Sequence, residues 1–321
     1  MISNNEARPA IEVQELSRTF GPQIAVDRLT LTIPRGELFG LVGPDGAGKT
    51  TILRMLAGIL TPSGGEATVA SHSIRSEAEG LKGKIAYMSQ RFGLYGDLTV
   101  PENLSFYADL FEVPRTTRGP QIERLLGFSG LAPFKDRLAE KLSGGMKQKL
   151  GLACALVHTP EIVLLDEPTN GVDPVSRREF WRILYDLLKE QVTIMVTTAY
   201  LDEAERCNRV GLMHQGRLLA VDTPDRIKAS LPGDLLEIRV EDPWRARRLL
   251  AGLPQVKAAT LFGRRLHVTL GQAEDDLPGV LAALAADGLR PEEPWRIVPS
   301  LEDAFIAMIQ QPAGGKHERA A

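Results

Sequence analysis

The run Leu38-Phe39-Gly40-Leu41-Val42, followed directly by Gly43-Pro44-Asp45-Gly46-Ala47-Gly48-Lys49-Thr50, restricts the fold of this chain more than any other feature. A short uninterrupted apolar run reads as a strand buried on both faces, and such strands belong to parallel sheets covered by helices. The segment behind it fits G-x-x-x-x-G-K-[ST], a loop that requires a strand before it and a helix after it. Thr51 with Ile52-Leu53-Arg54-Met55-Leu56 supplies that helix. In such a loop the glycines let backbone N–H groups close around phosphate oxygens. Lys49 adds a positive charge there, and Thr50 can offer its hydroxyl to Mg²⁺. Gly43, Pro44, Asp45, Gly46, Ala47, Gly48, Lys49, Thr50 and Thr51 are therefore candidate phosphate-binding residues on an α/β scaffold.

Two further segments carry chemistry. Ile162-Val163-Leu164-Leu165-Asp166-Glu167-Pro168 is an apolar run ending in two acids, the pattern of a buried parallel strand whose carboxyl end meets a ligand. Asp166 can support Mg²⁺ through water. Glu167, placed beside a terminal phosphate, can orient or deprotonate an attacking water and is the candidate catalytic base. An Asp-Glu pair alone would read as a solvated strand end, and the phosphate loop upstream changes that reading. Between the two lies Leu142-Ser143-Gly144-Gly145-Met146-Lys147-Gln148, just before the helical pattern Met146 to His158. A helix N-terminus favours an anion, although a plain N-cap has the same appearance.

With these motifs the chain resembles the nucleotide-binding subunit of ATP-binding cassette transporters, over roughly residues 10 to 225. The resemblance implies a P-loop ATPase core with a helical subdomain, ATP and Mg²⁺ as ligands, and Ser143, Gly144 and Gly145 completing the site of a second ATP-binding subunit. That second subunit would be an identical copy or a related cassette. The resemblance also implies an integral membrane permease as partner, hence a peripheral position on the cytoplasmic face of the membrane. Phe20 resembles the aromatic residue that stacks on adenine. Gln90, after the strand-like Ile85 to Ser89, resembles the glutamine that joins the γ-phosphate and the metal to the permease. Gln90 thus stands with Lys49 and Glu167 as catalytic, and with Thr50 and Asp166 as metal-associated. Asp173, in Asn170-Gly171-Val172-Asp173-Pro174, resembles the inter-subunit aspartate, with a turn-forming Asp before Pro as the plainer reading.

One departure matters. After the strand-like Thr193 to Val196 the family usually places a histidine that touches the γ-phosphate, whereas Thr197-Thr198-Ala199-Tyr200 puts Ala199 there. Leu201-Asp202-Glu203-Ala204-Glu205 keeps the register, and Tyr200 is expected to point elsewhere.

Composition agrees with a globular chain: 43% of the 321 residues are apolar and 25% charged, enough for more than one core. A net charge of −3 gives no basic footprint for nucleic acid. Cys154 and Cys207 have neither paired nor metal-like spacing. No apolar run approaches a membrane span, and Met1 to Glu6 does not begin a secretory signal.

Strand-like and helical patterns alternate from Ile11 to Arg217. The ATPase domain is expected over 1–228, with a helical subdomain at about 91–160. At its start, Phe92, Leu94 and Tyr95 are expected to line a groove for a cytoplasmic helix of the permease. Over 229–310 a small α+β domain is expected. Its strands Leu235 to Val240, Val256 to Leu261, Leu266 to Leu270 and Pro294 to Val298 alternate with helices Trp244 to Leu250 and Asp276 to Leu289. That is the β-α-β-β-α-β order of a ferredoxin-like module. Ser300 and Asp303 have capping-box spacing, the closing helix resembles the end of drug-exporter cassettes of the daunorubicin-resistance type, and 311–321 reads as a loose tail.

The leading expectation is an exporter motor for drugs, lipids or other hydrophobic compounds. The alternatives are a soluble ATP-dependent switch without a permease, and a scaffold that binds nucleotide without hydrolysing it. Lys49, Asp166 and Glu167 are intact, so hydrolysis is expected to persist, and with Ala199 in place of the histidine it is expected to be slower or more dependent on the partner. Ala199→His is expected to speed steady-state ATP turnover, and an unchanged rate would remove Ala199 as the cause of slow hydrolysis.

Overall fold

The computed structural model describes residues 8–310, so the segment Met1 to Glu6 and the tail 311–321 lie outside the described residues. The chain divides into two compact units, the first ending at Val221 and the second beginning at Asp222. The division falls earlier than residue 228 because helix α8 (Pro224–Ala229) packs against α11 (Leu301–Gln310).

The first unit holds two sheets. Strands β1 (Ile11–Phe20) and β2 (Gln23–Ile33) form an antiparallel ribbon, and β4 (Gly64–Val69) and β5 (His72–Ser73) extend it in the order β2-β1-β4-β5. Ile11 and Val13 alternate inward, as one-sided burial of a strand requires, and Leu16 resumes the buried face after a register shift.

The second sheet has the order β10-β9-β3-β8-β7-β6, built from β3 (Leu38–Val42), β6 (Ile85–Met88), β7 (Ile162–Asp166), β8 (Thr193–Thr198), β9 (Arg209–His214) and β10 (Arg217–Asp222). Its four internal pairings β3–β9, β3–β8, β8–β7 and β7–β6 are parallel. Every residue of β3, β7 and β8 is buried, which explains why these strands read as continuous apolar runs.

Helix α1 (Lys49–Leu56) leaves the end of β3 and buries Ile52, Leu53, Met55 and Leu56. Short α2 (Ala78–Leu81) precedes β6. The insertion that follows contains α3 (Val100–Leu110), α4 (Arg115–Phe128) and α5 (Gly144–Ala155). Helix α3 opens with a full capping box, in which Glu102 accepts from the Thr99 backbone N–H at 2.7 Å. Fully buried Asn103 accepts from Tyr95 N and donates to the carbonyls of Tyr95, Leu98 and Thr99, fastening the loop that follows Gln90. Helix α6 (Pro174–Lys189) sinks Phe180 and Trp181, and short α7 (Leu201–Ala204) follows β8.

The second unit is a four-stranded antiparallel sheet of order β12-β13-β11-β14, with β11 (Asp234–Arg239), β12 (Val256–Phe262), β13 (Arg265–Leu270) and β14 (Trp295–Arg296). Together with α9 (Pro243–Leu250) and α10 (Ala273–Ala286) it realises the β-α-β-β-α-β order and the 4-1-3-2 arrangement of a ferredoxin-like module. The largest departures from the expected bounds are in α10 and β14. Helix α10 starts at Ala273, not Asp276, because Asp234 accepts from Ala273 N while Asp276 turns back onto the N–H groups of Gly271 and Gln272. Strand β14 shrinks to two residues, since only Leu236 and Glu237 pair with it.

Helix α11 is tied to the sheet by charge. His267 Nδ1 lies 2.6 Å from Asp303 Oδ1, its Nε2 lies 3.8 Å from Glu237, and Phe262 stacks on the ring. Burial raises the Asp303 pKa, but hydrogen bonds from His267 and Ser300 outweigh it, leaving the carboxyl below its ordinary 3.8. A lowered folded-state pKa contributes stability above the unfolded value and loses it as pH falls through the folded one. Hydrogen exchange at Leu301–Gln310 should therefore accelerate below about pH 3.8, and Asp303→Asn should flatten that acid dependence.

Candidate functional site

At the carboxyl end of β3 the chain turns into α1, whose first residue is Lys49. The turn depends on Gly48, which sits at φ 104° and whose absent Cβ would lie 2.3 Å from the Ala25 carbonyl. No side chain caps this helix and no acid occupies its first turn, so its N–H groups face a cavity of about 490 Å³. Phe20, Gln23, Ala25, Asp45, Gly46, Ala47, Gly48, Lys49, Thr50, Thr51, Gln90, Glu167 and Asn170 line that cavity.

Lys49 is 4% exposed and holds its charge by three contacts: Gly43 O at 2.6 Å, Pro44 O at 3.1 Å and Glu167 Oε1 at 3.1 Å. Gly43 and Pro44 thus act through their carbonyls. Thr50 Oγ1 donates to Asp166 Oδ1 at 3.0 Å, and Thr197 Oγ1 donates to the same oxygen at 2.9 Å. A hydroxyl and a buried carboxylate at this spacing form an oxygen donor set suited to a hard cation such as Mg²⁺.

Glu167 occupies left-handed backbone space at φ 47°, strain of the kind concentrated at functional positions. Thr197 holds it there, its carbonyl and its hydroxyl both accepting from Glu167 N. The second carboxylate oxygen accepts from Gln90 Nε2 at 3.2 Å and from Asn170 Nδ2 at 3.3 Å. Phe20 is 46% exposed at the cavity rim, with the Arg18 guanidinium 4.6 Å from its ring centroid. A cation on one face leaves the other for a flat ligand.

Ser143, Gly144 and Gly145 do not line this cavity. Ser143 caps α5, its hydroxyl accepting from Met146 N at 3.3 Å, so the helix begins two residues before Met146. Gly145 is required by close approach, since a Cβ there would lie 2.3 Å from Ser176 Cβ. Asp173 caps α6 and accepts from Val175 N and Ser176 N, and the Ser176 bond first of all holds its carboxyl below the ordinary range.

Ala199 lines a second, smaller pocket of about 160 Å³ with Asp45, Glu167, Thr169, Asn170, Thr198 and Tyr200. Tyr200 therefore does not turn away as the sequence suggested. The Arg177 guanidinium lies 4.8 Å from its ring centroid and keeps it at the pocket wall. Phe92 and Leu94 line a separate groove of about 370 Å³ with Arg91, Glu140 and Lys147, whereas Tyr95 is absent from that lining and packs on Phe106 at 4.4 Å.

Sequence reasoning missed Thr197, Asn170 and Glu203. Glu203 is 1% exposed and accepts from Thr169 at 2.5 Å and Thr198 at 2.8 Å, with Arg177 Nε 3.3 Å away. An acid spaced four residues from position 199 gives no local signal, because its partners come from three other elements.

Residues 26–170 match the family described as ABC transporter. The chain belongs to that family, among its ATP-binding proteins. It is 32% identical to the daunorubicin/doxorubicin resistance ATP-binding protein DrrA of Streptomyces peucetius, over 97% of this chain and 95% of that protein. It is 45% identical to the probable multidrug ABC transporter ATP-binding protein YbhF of Escherichia coli (strain K12), over 89% of this chain. The chain spans about half the length of that relative, 49%. Among solved structures, cbiO1 of Clostridium perfringens, part of the ABC transporter complex cbiONQ, is 27% identical with a TM-score of 0.64, over 77% of this chain and 96% of that one.

The Glu203 cluster generates a stability test. Glu203→Ala takes away the acceptor of two buried hydroxyls and leaves Arg177 only the exposed Asp202 carboxylate at 3.9 Å, so unfolding of the first unit should become easier by about 2–4 kcal/mol. Denaturant melts followed by Trp181 fluorescence would read that loss, since this side chain is only 1% exposed.

Proposed function

We propose that this chain is an ATP-hydrolysing nucleotide-binding subunit that powers a separate membrane permease and drives export of drugs, lipids or other hydrophobic compounds. The observation that carries the reading is the convergence of Lys49, Thr50, Gln90 and Glu167 on one cavity rimmed by Phe20, with buried Asp166 hydrogen-bonded to Thr50 behind it. The names of the relatives point the same way: multidrug, daunorubicin/doxorubicin resistance, and Nod factor export in Paraburkholderia xenovorans.

In this reading the amides of Asp45 to Thr51 and the Lys49 ammonium bind the phosphates, and Phe20 stacks on the adenine. Thr50 and Asp166 hold Mg²⁺, Asp166 through water, with Gln90 beside it. The ion neutralises charge on the β- and γ-phosphate oxygens when bound. Lys49 leaves Glu167 for the phosphate, which frees a carboxylate oxygen to accept a proton from the attacking water. Ser143, Gly144 and Gly145 serve the nucleotide of a second subunit, and Asp173 lies at the contact between the two. The groove of Phe92 and Leu94 receives the permease, which sets the chain on the cytoplasmic face of the membrane. Among the described residues no helix is long and apolar enough to cross a membrane, so a pore has to come from another segment or chain.

Glu167→Gln should bind MgATP, lower turnover by roughly a hundredfold or more, and accumulate as a dimer in size-exclusion chromatography. Retained turnover in that variant would count against Glu167 as the base. A monomer in saturating MgATP would count against the two-subunit site.

A further inference from the structure

The Glu167 carboxylate is divided between two sets of donors. Oε1 pairs with Lys49 at 3.1 Å, while Oε2 receives the Gln90 amide at 3.2 Å and the Asn170 amide at 3.3 Å. The two amides come from different places, Gln90 after β6 and Asn170 three residues beyond Glu167 in the loop leading to α6. Asn170 also fixes the local turn, its backbone N–H donating to the Glu167 carbonyl at 3.2 Å. It lines both cavities that meet at Glu167.

We infer that Asn170 is a positioning residue for Glu167, holding Oε2 so that Oε1 faces the water when Lys49 moves to phosphate. The argument rests on the reading of Glu167 as the base. A glutamate side chain has three rotatable bonds, and among the described residues the Gln90 and Asn170 amides on Oε2 are what keep it from following Lys49. With two neutral donors on one oxygen, the carboxylate loses rotational freedom without a competing cation. Near-attack geometry of this kind is where an orienting group contributes to rate. The charged groups around Glu167 are Lys49 on α1, Asp45 in the phosphate loop and Asp166 on β7; the two carboxylates are acceptors, and Lys49 is engaged with Oε1 instead of Oε2. The small wall residue Ala199 adds no donor, so the duty falls on Gln90 and Asn170.

The test compares Asn170→Ala and Asn170→Asp in the full chain, measuring steady-state ATPase kinetics and thermal stability. Asn170→Ala should lower kcat about tenfold, the scale of one hydrogen bond to a charged group, with KM for ATP unchanged. Asn170→Asp keeps the shape and the backbone N–H that closes the turn but loses the side-chain donor and sets a second carboxylate against Oε2. It should therefore lose more kcat than the alanine variant while melting at the wild-type temperature.

If aspartate restores wild-type turnover, the side chain serves the turn and the inference falls. If KM rises while kcat holds, Asn170 contacts nucleotide or the second subunit instead, and the inference also falls. In the Glu167→Gln background, adding Asn170→Ala should leave residual single-turnover rates unchanged, because the residue acts through Glu167; a further loss would overturn the inference. A wild-type chain with no ATPase activity would defeat the underlying function, an outcome distinct from all of these.

Discussion

The contact on which the rest of the first unit depends is the buried Asp166 carboxylate accepting from both Thr50 and Thr197. One oxygen joins the end of β7, the first turn of α1 and the end of β8, and these are the elements that carry the hydroxyl proposed for Mg²⁺, the lysine proposed for phosphate and the residues flanking Ala199. Asp166 stands opposite Thr197 in the parallel register, so the hydroxyl reaches it without distorting the sheet. A buried carboxylate without such donors would be costly, and with them it becomes a rigid reference point. Thr197 then performs a second task on Glu167, accepting from its N–H through both hydroxyl and carbonyl. The strained backbone of the candidate base is thereby fixed to the same strand that fixes Asp166.

The sequence made the phosphate loop, the acidic strand end and the helix at Ser143 legible because each is a local pattern whose chemistry lies within about ten residues. The alternation of strands and helices followed from the apolar runs of β3, β7 and β8, and even the small C-terminal module could be read from its strand order. What was not legible depends on partners distant in the chain. Asn170 looks like a turn residue until Glu167 takes up its positive φ, and Thr197 looks like an ordinary strand residue until Asp166 lies opposite it. The start of α10 moved because Asp234, on another strand, supplies an acceptor to Ala273 that no local pattern reveals. Tyr200 was misplaced for the same reason, its position being set by Arg177 on α6.

Glu203 shows how the segment around Ala199 stays ordered without an imidazole. The buried acid gathers the hydroxyls of Thr169 and Thr198 and faces Arg177, so the loop after Glu167, the end of β8 and the start of α6 share one support. Because Asp173 caps that same α6, any displacement of the loop after Glu167 is carried to the helix start proposed to lie between subunits. Rigid elements joined by buried hydrogen bonds move together or not at all.

The sheet order has a consequence for synthesis. Strand β3, which bears the phosphate loop, has no partner near it in sequence: Leu38 pairs with Ile194 on one side, and Phe39 with Arg209 on the other. All five of its residues are buried in the finished sheet. On the ribosome this hydrophobic strand emerges early and waits for most of the first unit to be translated before either neighbour exists. Non-local pairings of this kind form late and leave apolar surface exposed meanwhile. A chain interrupted anywhere before β8 would display the most conspicuous motif of the protein on a strand with neither neighbour to hold it, a natural substrate for chaperones and proteases.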